Sequence, residues 1–478
     1  MQHSFVGRAL ELSLMNEAVS AASGATLIVI KGRRRIGKST LAKQFAGTRR
    51  FIQFIGLAPV SGISAQSQRD IVIKQAHDQL KCSLFTTDDW SEIFTRIAKK
   101  LPRTPCVLLF DEISWLAQDD SSFIPRFKTF WDKEIKARKD LVVILSGSVS
   151  TWIENNILKS TALFGRINLV ITLKELSISE SNTLLKSKKC KLSAYETFLT
   201  LSLTGGVPWY LEQISPKQGA LENINRLCFS RNGSLTEEFD RVFNDLFSSR
   251  GQIYRKIVLL LAQGPRELTQ IRRELSYSSG GALSEYVHNL VESGFLEKTP
   301  LWSFHKGKAS SRMLYRLSDS YLRFFLRFIE PVVDRIAASG SSDLRAFYPD
   351  NWRSLFSLQV ENLVINNRTW ILEKLALTEQ DILLAGPFQR RATKALAGVQ
   401  VDYLIQTRLK TLIVCEVKFS TAVLGREVIE EVEEKLRKIK APRGFAVVPV
   451  LIKFGEVART VEKEGFFYRI LDMGEMLE

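Results

Sequence analysis

Cysteine is scarce and scattered in this chain. Cys82, Cys106, Cys190, Cys228 and Cys415 include no CxxC pair, which argues against a zinc site and fits a reducing compartment. No apolar run reaches the roughly 20 residues that span a bilayer. The opening stretch MQHSFVGRAL lacks the basic and then apolar pattern of a secretory leader. A cytoplasmic location with no membrane partner is the expectation. Acidic residues are outnumbered, 51 against 67 Lys and Arg, leaving a net charge of +16. A polyanion such as nucleic acid or acidic lipid is therefore a partner to expect; a basic surface that only aids solubility is the alternative. Length is not scarce. With 478 residues, 45% hydrophobic and 25% charged, the composition is that of a globular protein with two to four domains.

The first third alternates short apolar runs with amphipathic segments, which predicts a parallel sheet covered by helices. Its clearest unit is TLIVIKGRRRIGKSTLAKQFA. A strand from Thr26 to Ile30 leads into Gly32, Arg33, Arg34, Arg35, Ile36, Gly37, Lys38 and Ser39, and a helix is expected from Thr40. This is G-x-x-x-x-G-K-[ST] between strand and helix, the setting in which the motif binds nucleotide phosphates. Its glycines let backbone N–H groups curl around phosphate oxygens, and the helix N-terminus adds partial positive charge. Lys38 is expected to reach the β- and γ-phosphates, and Ser39 to ligate Mg²⁺. CVLLFDEISWL supplies a buried strand, Cys106 to Phe110. Asp111 at its end is placed to hold Mg²⁺ through water, and Glu112 to polarise the attacking water. LVVILSGS ends at Ser146, Gly147 and Ser148. Ser146 is a candidate γ-phosphate sensor, or it simply ends its strand.

These pieces, with FVGR at Phe5 to Arg8, FGRI at Phe164 to Ile167 and TGGVPWYL at Thr204 to Leu211, fall in an order that resembles archaeal-type P-loop ATPases. These are AAA+-related proteins of the STAND-like group. The resemblance covers about the first 240 residues. It implies that Phe5 and Val6 lie near the adenine, that Pro208 closes over it from a helical lid, and that Arg166 senses phosphate. A surface ion pair is the other reading of Arg166. Arg33, Arg34 and Arg35 either add to the phosphate field or face another partner.

From about Lys174 to Ser249 the chain reads as a helical lid. YRKIVLLLAQG, RELTQIRREL and GGALSEYVHNLVESGFLEK then give three amphipathic helices, and LWSFHKGKASSRMLYRLSD reads as a β-ribbon. Together they predict a winged helix-turn-helix, able to set its third helix in the major groove. Lys306, Lys308 and Arg312 are its candidate phosphate contacts. The acidic face of the third helix, with Glu285 and Glu292, favours instead a protein-interaction module. YLRFFLRFIEPVV is expected to be a packing helix, and AASGSSDLRAFYPD a linker.

Beyond it, VDYLIQTRLKTLIVCEVKFS reads as a hairpin with its turn centred at Leu409. Asp402 then faces Glu416 across the strands, and Lys418 shares that face. Opposed buried carboxylates repel unless a divalent cation lies between them, and oxygen donors suit Mg²⁺ or Mn²⁺. Asp402 followed by Glu416, Val417 and Lys418 resembles the core of restriction-endonuclease-like, PD-(D/E)xK nucleases, with Val401 where a proline often stands. The resemblance implies that Asp402 and Glu416 ligate metal with the Val417 carbonyl as a further donor, that Glu361 is the helix acid, and that Lys418 is catalytic. A degenerate nuclease fold is the alternative. REVIEEVEEKLRKI reads as an exposed charged helix.

The expected architecture is multidomain α/β. It comprises an ATPase core (1–173), a helical lid (174–249), a winged helix (250–335), a linker (336–349) and a nuclease-like domain (350–478). The expected cofactors are ATP and Mg²⁺, with Mn²⁺ a second choice at the C-terminal site. Nucleic acid, DNA before RNA, is the expected partner; a homo-oligomer and a protein bound through the winged helix stay open.

Overall fold

Residues 26–31 (β1), 50–55 (β2), 106–111 (β3), 141–147 (β4) and 169–172 (β5) form a wholly parallel sheet in the order β2-β3-β4-β1-β5. The computed structural model describes all residues except 1–4, 59, 61, 118–119, 149, 248–250, 278–279, 303–309, 339–342, 391 and 393–396. β1, β3 and β4 are mostly apolar and buried along their whole length, because helices cover both faces of the sheet. One face packs Phe94, Phe110 and Phe127 in an aromatic cluster. The helix Lys38–Ala46 starts two residues before the expected Thr40.

Helices from Ile178 to Phe247 follow β5. Three more, Gly251–Ala262, Leu268–Glu274 and Gly280–Glu292, carry a small antiparallel sheet, β6 (266–267), β7 (296–300) and β8 (313–317), in the order β6-β8-β7. Lys306 and Lys308 lie outside the described residues. Arg312 is engaged by Glu267 at 2.7 and 2.8 Å. The helix Gly280–Glu292 packs on the first sheet's flank, where Glu292 meets Lys31 at the end of β1, 3.3 Å away.

The expected packing helix starts at Ser320 and widens after Phe324 without a break to Ile329. Tyr321, Phe324, Phe325 and Phe328 are buried in the largest core, which also includes Phe198, Tyr210, Phe356 and Ile413. The linker expectation needs correcting. Residues 344–347 form a docked turn of helix with Leu344 and Phe347 buried, and Asn225 accepts from the Leu344 N–H at 2.8 Å. Apolar side chains inside a polar stretch gave that turn something to bury.

The last unit is a mixed five-stranded sheet: β9 (382–390), β10 (399–407), β11 (411–419), β12 (446–454) and β13 (469–472), in the order β13-β12-β11-β10-β9. β9, β10 and β11 are antiparallel neighbours; β11, β12 and β13 are parallel. The helix Trp352–Asn366 packs on β11 and on the helix Ala194–Thr204, so this sheet shares the core of the rest. No helix among the described residues is long and apolar enough to cross a membrane.

One buried ion cluster joins the units. Arg33 pairs with Asp319, the fully buried residue that caps the helix at Ser320, and with Glu175 at 3.0 Å. Burial works against the Arg33 charge, but Asp319, Tyr210 and Glu175 more than offset it, and its pKa rises. The pKa of half-buried Glu175 is raised, by burial first and then by neighbouring Asp319, against the pull of Arg33. Removing one partner of such a pair costs about 3–5 kcal/mol. Asp319→Ala is therefore expected to lower the unfolding free energy by about that amount in urea titration; wild-type stability would rule the cluster out as a structural anchor.

Candidate functional site

Gly37 adopts φ 92°, a conformation that favours glycine, and a Cβ there would stand 3.9 Å from Pro208 Cγ. Pro208 thus lies directly over the phosphate loop. It begins the helix Pro208–Glu212, reached through Gly205 and Gly206. A Cβ on Gly206 would lie 1.9 Å from the Leu176 carbonyl, so the close approach of these segments requires glycine. Together they enclose a cavity of about 650 Å³ lined by Phe5, Val6, Ile36, Gly37, Thr40 and Pro208, with Phe51, Leu176 and Leu184 on its apolar side. Arg8 braces the entrance, donating to the carbonyls of Lys174 at 2.6 Å and Ile36 at 3.4 Å. The size and the apolar wall suit a nucleoside next to the loop.

Lys38 is buried and donates to the carbonyls of Gly32 and Arg33 at 3.0 and 3.1 Å. Burial lowers its pKa, while Glu112 and Asp111 favour the charge. The strand order places β4 between β1 and β3, so Ser146 of β4 reaches the acid of β3. Asp111 accepts from Ser39 Oγ at 2.5 Å, from Gln53 Nε2 at 3.1 Å and from Ser146 Oγ. A hydroxyl and a carboxylate at that spacing fit an oxygen-liganded Mg²⁺. Glu112 accepts from Ser148 Oγ at 2.8 Å. Gln53 carried no expected role. A polar residue within the apolar run RFIQFI was the available signal for Gln53.

The side chains of Arg33 and Arg35 pair with acids of this same chain, which neither expectation for them foresaw. Arg33 enters the cluster described above. Arg35, at φ 69°, pairs with fully buried Glu238 at 2.6 Å and stacks 3.5 Å from the Trp209 ring centroid. Arg34 lies over Trp115, 5.9 Å from its centroid. Arg166 also needs correcting. It precedes β5, at the sheet edge where the strands begin, whereas the phosphate loop follows the end of β1. The six residues of β1 separate those edges by roughly 20 Å. Arg166 instead forms a two-point pair with Asp132 at 2.8 and 2.9 Å, so it cannot sense phosphate bound by its own loop.

In the C-terminal sheet the register pairs Tyr403 with Cys415 and Leu404 with Val414, as a turn centred on Leu409 requires. Asp402 and Glu416 are both buried, and Asp402 accepts from the Val417 N–H at 2.9 Å. Burial, then Glu416, then Glu361 push the Asp402 pKa up to about 8. Burial also raises that of Glu361, with Arg323 opposing and Glu416 adding to the rise. The three acids sense one another, yet among the described residues no three His, Cys, Asp or Glu are spaced to hold a metal ion. Lys418 lies 3.2 Å from Glu416.

The helix Glu427–Ile439, expected to be an exposed face, docks over this site. Its Lys435 donates to Glu416, and its Glu431 accepts from Lys418. The apolar positions Val428, Ile429 and Val432 are buried and turn these charges inward, which the alternation of charge could not reveal.

Residues 5–214 match a family model described as an ATPase domain predominantly from Archaea. An uncharacterized protein of Methanocaldococcus jannaschii, MJECL04, is 26% identical over 334 residues, 70% of each chain. Among solved structures, the Walker-type ATPase of Pyrococcus abyssi is 18% identical, with a TM-score of 0.49 over 68% of this chain and 97% of that one. The ORC2 protein of Aeropyrum pernix, in ADPNP–ADP complexes, is 13% identical, with a TM-score of 0.42 over 71% and 96%.

Asp402 gives a pH test with a defined sign. Unfolded, its carboxyl ionises near the ordinary aspartate value of about 4; folded, it holds its proton to about pH 8. Its contribution to stability is complete below pH 4 and is lost as pH rises towards 8. In chelator, wild-type stability is expected to fall across that window while Asp402→Asn stays flatter. Parallel curves by thermal unfolding would refute the raised pKa.

Proposed function

We propose that the chain is an ATP-hydrolysing switch that controls a metal-dependent phosphodiesterase site acting on nucleic acid. The observation that carries the ATPase half is the convergence of Ser39, Asp111 and Ser146 beside buried Lys38, in the same loop and helix whose Gly37 and Thr40 line the cavity under Pro208. Backbone N–H groups of the loop and Lys38 would hold the phosphates. Ser39 and Asp111 would hold Mg²⁺, which supplies charge neutralisation on the phosphates when bound. Glu112, oriented by Ser148, would accept a proton from the attacking water.

The C-terminal reading rests on the buried Asp402–Glu416 pair with Lys418 beside it. The donor chemistry of the two carboxylates and the Val417 carbonyl suits Mg²⁺ or Mn²⁺. When bound, such an ion would polarise the phosphodiester and its attacking water. Lys418 would stabilise charge growing on the phosphate, while Lys435 neutralises Glu416.

Gating is supported by two connections. Arg33 ties the phosphate loop to Asp319. The helix Ile178–Ser187, whose Leu184 lines the cavity, also receives the C-terminal unit: Asn182 donates to the Leu477 carbonyl and Ser179 to that of Glu478, each at 2.7 Å. The three-helix unit with its small sheet reads as a winged helix. The Lys31–Glu292 contact favours a role as an internal coupling module, since it turns the end of the third helix to the ATPase sheet.

Two assays test this. Lys38→Ala is expected to lose nucleotide binding, and Glu112→Gln to keep binding while hydrolysis falls by about 10²-fold or more. With Mn²⁺ or Mg²⁺, cleavage of labelled DNA or RNA is expected to vanish in Asp402→Ala and to lose its response to ATP in Lys38→Ala. ATP-independent cleavage unaltered by Lys38→Ala would end the gating proposal. Absence of cleavage in the wild type, with hydrolysis intact, would leave a nucleotide-switched binding protein.

A further inference from the structure

Most arginines in the middle of the chain are matched to acids. Arg316 and Arg368 share Glu297, Arg255 pairs with Glu330, and Arg312 with Glu267. Arg323 and Arg327 are different. They stand four residues apart on the helix that begins at Ser320, where like charges repel. Their hydrogen bonds go to neutral acceptors: Arg323 to Gln359 Oε1 at 3.0 Å and the Leu358 carbonyl at 3.4 Å, Arg327 to the Ala262 carbonyl at 2.7 Å. Among the described residues no carboxylate forms an ion pair with either guanidinium. Burial, Arg327 and Arg316 push the Arg323 pKa down to about 9, and burial lowers that of Arg327. Two half-buried cations with only Glu361 near enough to offset them are costly, and an anionic ligand would lower the cost.

Their position indicates which anion. Gln359 and Leu358 belong to the helix that carries Glu361, and Glu361 is the acid that both arginines sense. Ser357 of the same helix donates to the Phe419 carbonyl at the end of β11, at 3.1 Å. A path therefore runs from the two arginines, past Leu358, 43% exposed, to the strand bearing Glu416 and Lys418. Guanidinium groups match phosphate oxygens in geometry and charge.

We infer that Arg323 and Arg327 form a subsite for the phosphodiester backbone of a nucleic acid strand lying across the Trp352–Asn366 helix towards Asp402 and Glu416. The inference rests on the nucleic-acid reading of that site and adds a binding surface contributed by the middle of the chain. The helix that bears both arginines is capped by Asp319, the partner of Arg33. Strand binding and the phosphate loop therefore act on one helix.

The test is equilibrium binding of labelled single- and double-stranded DNA and RNA to the full chain in EDTA, over a salt series. Because no metal is present, a catalytically silent C-terminal site leaves it intact; cleavage is scored separately in Mn²⁺. Arg323→Gln and Arg327→Gln are each expected to weaken binding severalfold and to reduce the slope of log K against log salt by about one. Arg345→Gln, at an exposed arginine paired with Asp343, is the charge control and is expected to match the wild type. The polymer bound identifies the strand. If a variant fails to fold, protection of Arg323 and Arg327 in the wild type from phenylglyoxal by bound oligonucleotide, mapped by mass spectrometry, replaces it. Unchanged affinity and slope in both variants, no protection, or no binding of any polymer by the wild type overturns the inference.

Discussion

A guanidinium with almost no access to water, set inside the phosphate loop, constrains everything around it. Arg33 cannot remain charged there unless acids from elsewhere come to it, and they arrive from two directions. Glu175 comes from the segment after β5, and Asp319 from the start of the helix after β8. Asp319 in turn caps that helix through the Leu322 N–H. The loop, the segment after β5 and the helix leading into the C-terminal unit thus meet at one electrostatic point. Arg35 repeats the device on the other side, holding Glu238 and stacking on Trp209.

The consequence is mechanical. Phosphate entering the loop would place new negative charge beside Lys38, whose nearest acceptors are carbonyls of Gly32 and Arg33. Any shift of the loop backbone moves Arg33, and Arg33 cannot move without Asp319. A packed interior transmits such displacement because it has little slack. The continuous core from Phe198 through Tyr321 to Ile413 makes the units of this chain mechanically dependent rather than independent beads.

The two candidate centres handle buried charge differently. Around Asp111, neutral donors surround one acid, leaving it to accept an ion. Around Asp402 and Glu416, two acids share a buried space and two lysines lean on one of them. That crowding shows as a carboxyl, Asp402, holding its proton to about pH 8.

Much of this could be read along the chain. The phosphate loop is specified by eight consecutive residues between a strand and a helix, and the Asp402–Glu416 opposition follows from a period of two and a turn at Leu409. Both are short-range, so spacing alone defines them. The partner of Arg33 stands 286 residues away, and nothing in GRRRIG points to it. Lys435 looked like a surface charge until its helix packed on β10. Arg166 looked like a phosphate sensor until the sheet set it at the opposite edge. Residue type and local period determine what a segment can become, but long-range packing determines which charges meet, because only in the closed interior must each find a partner.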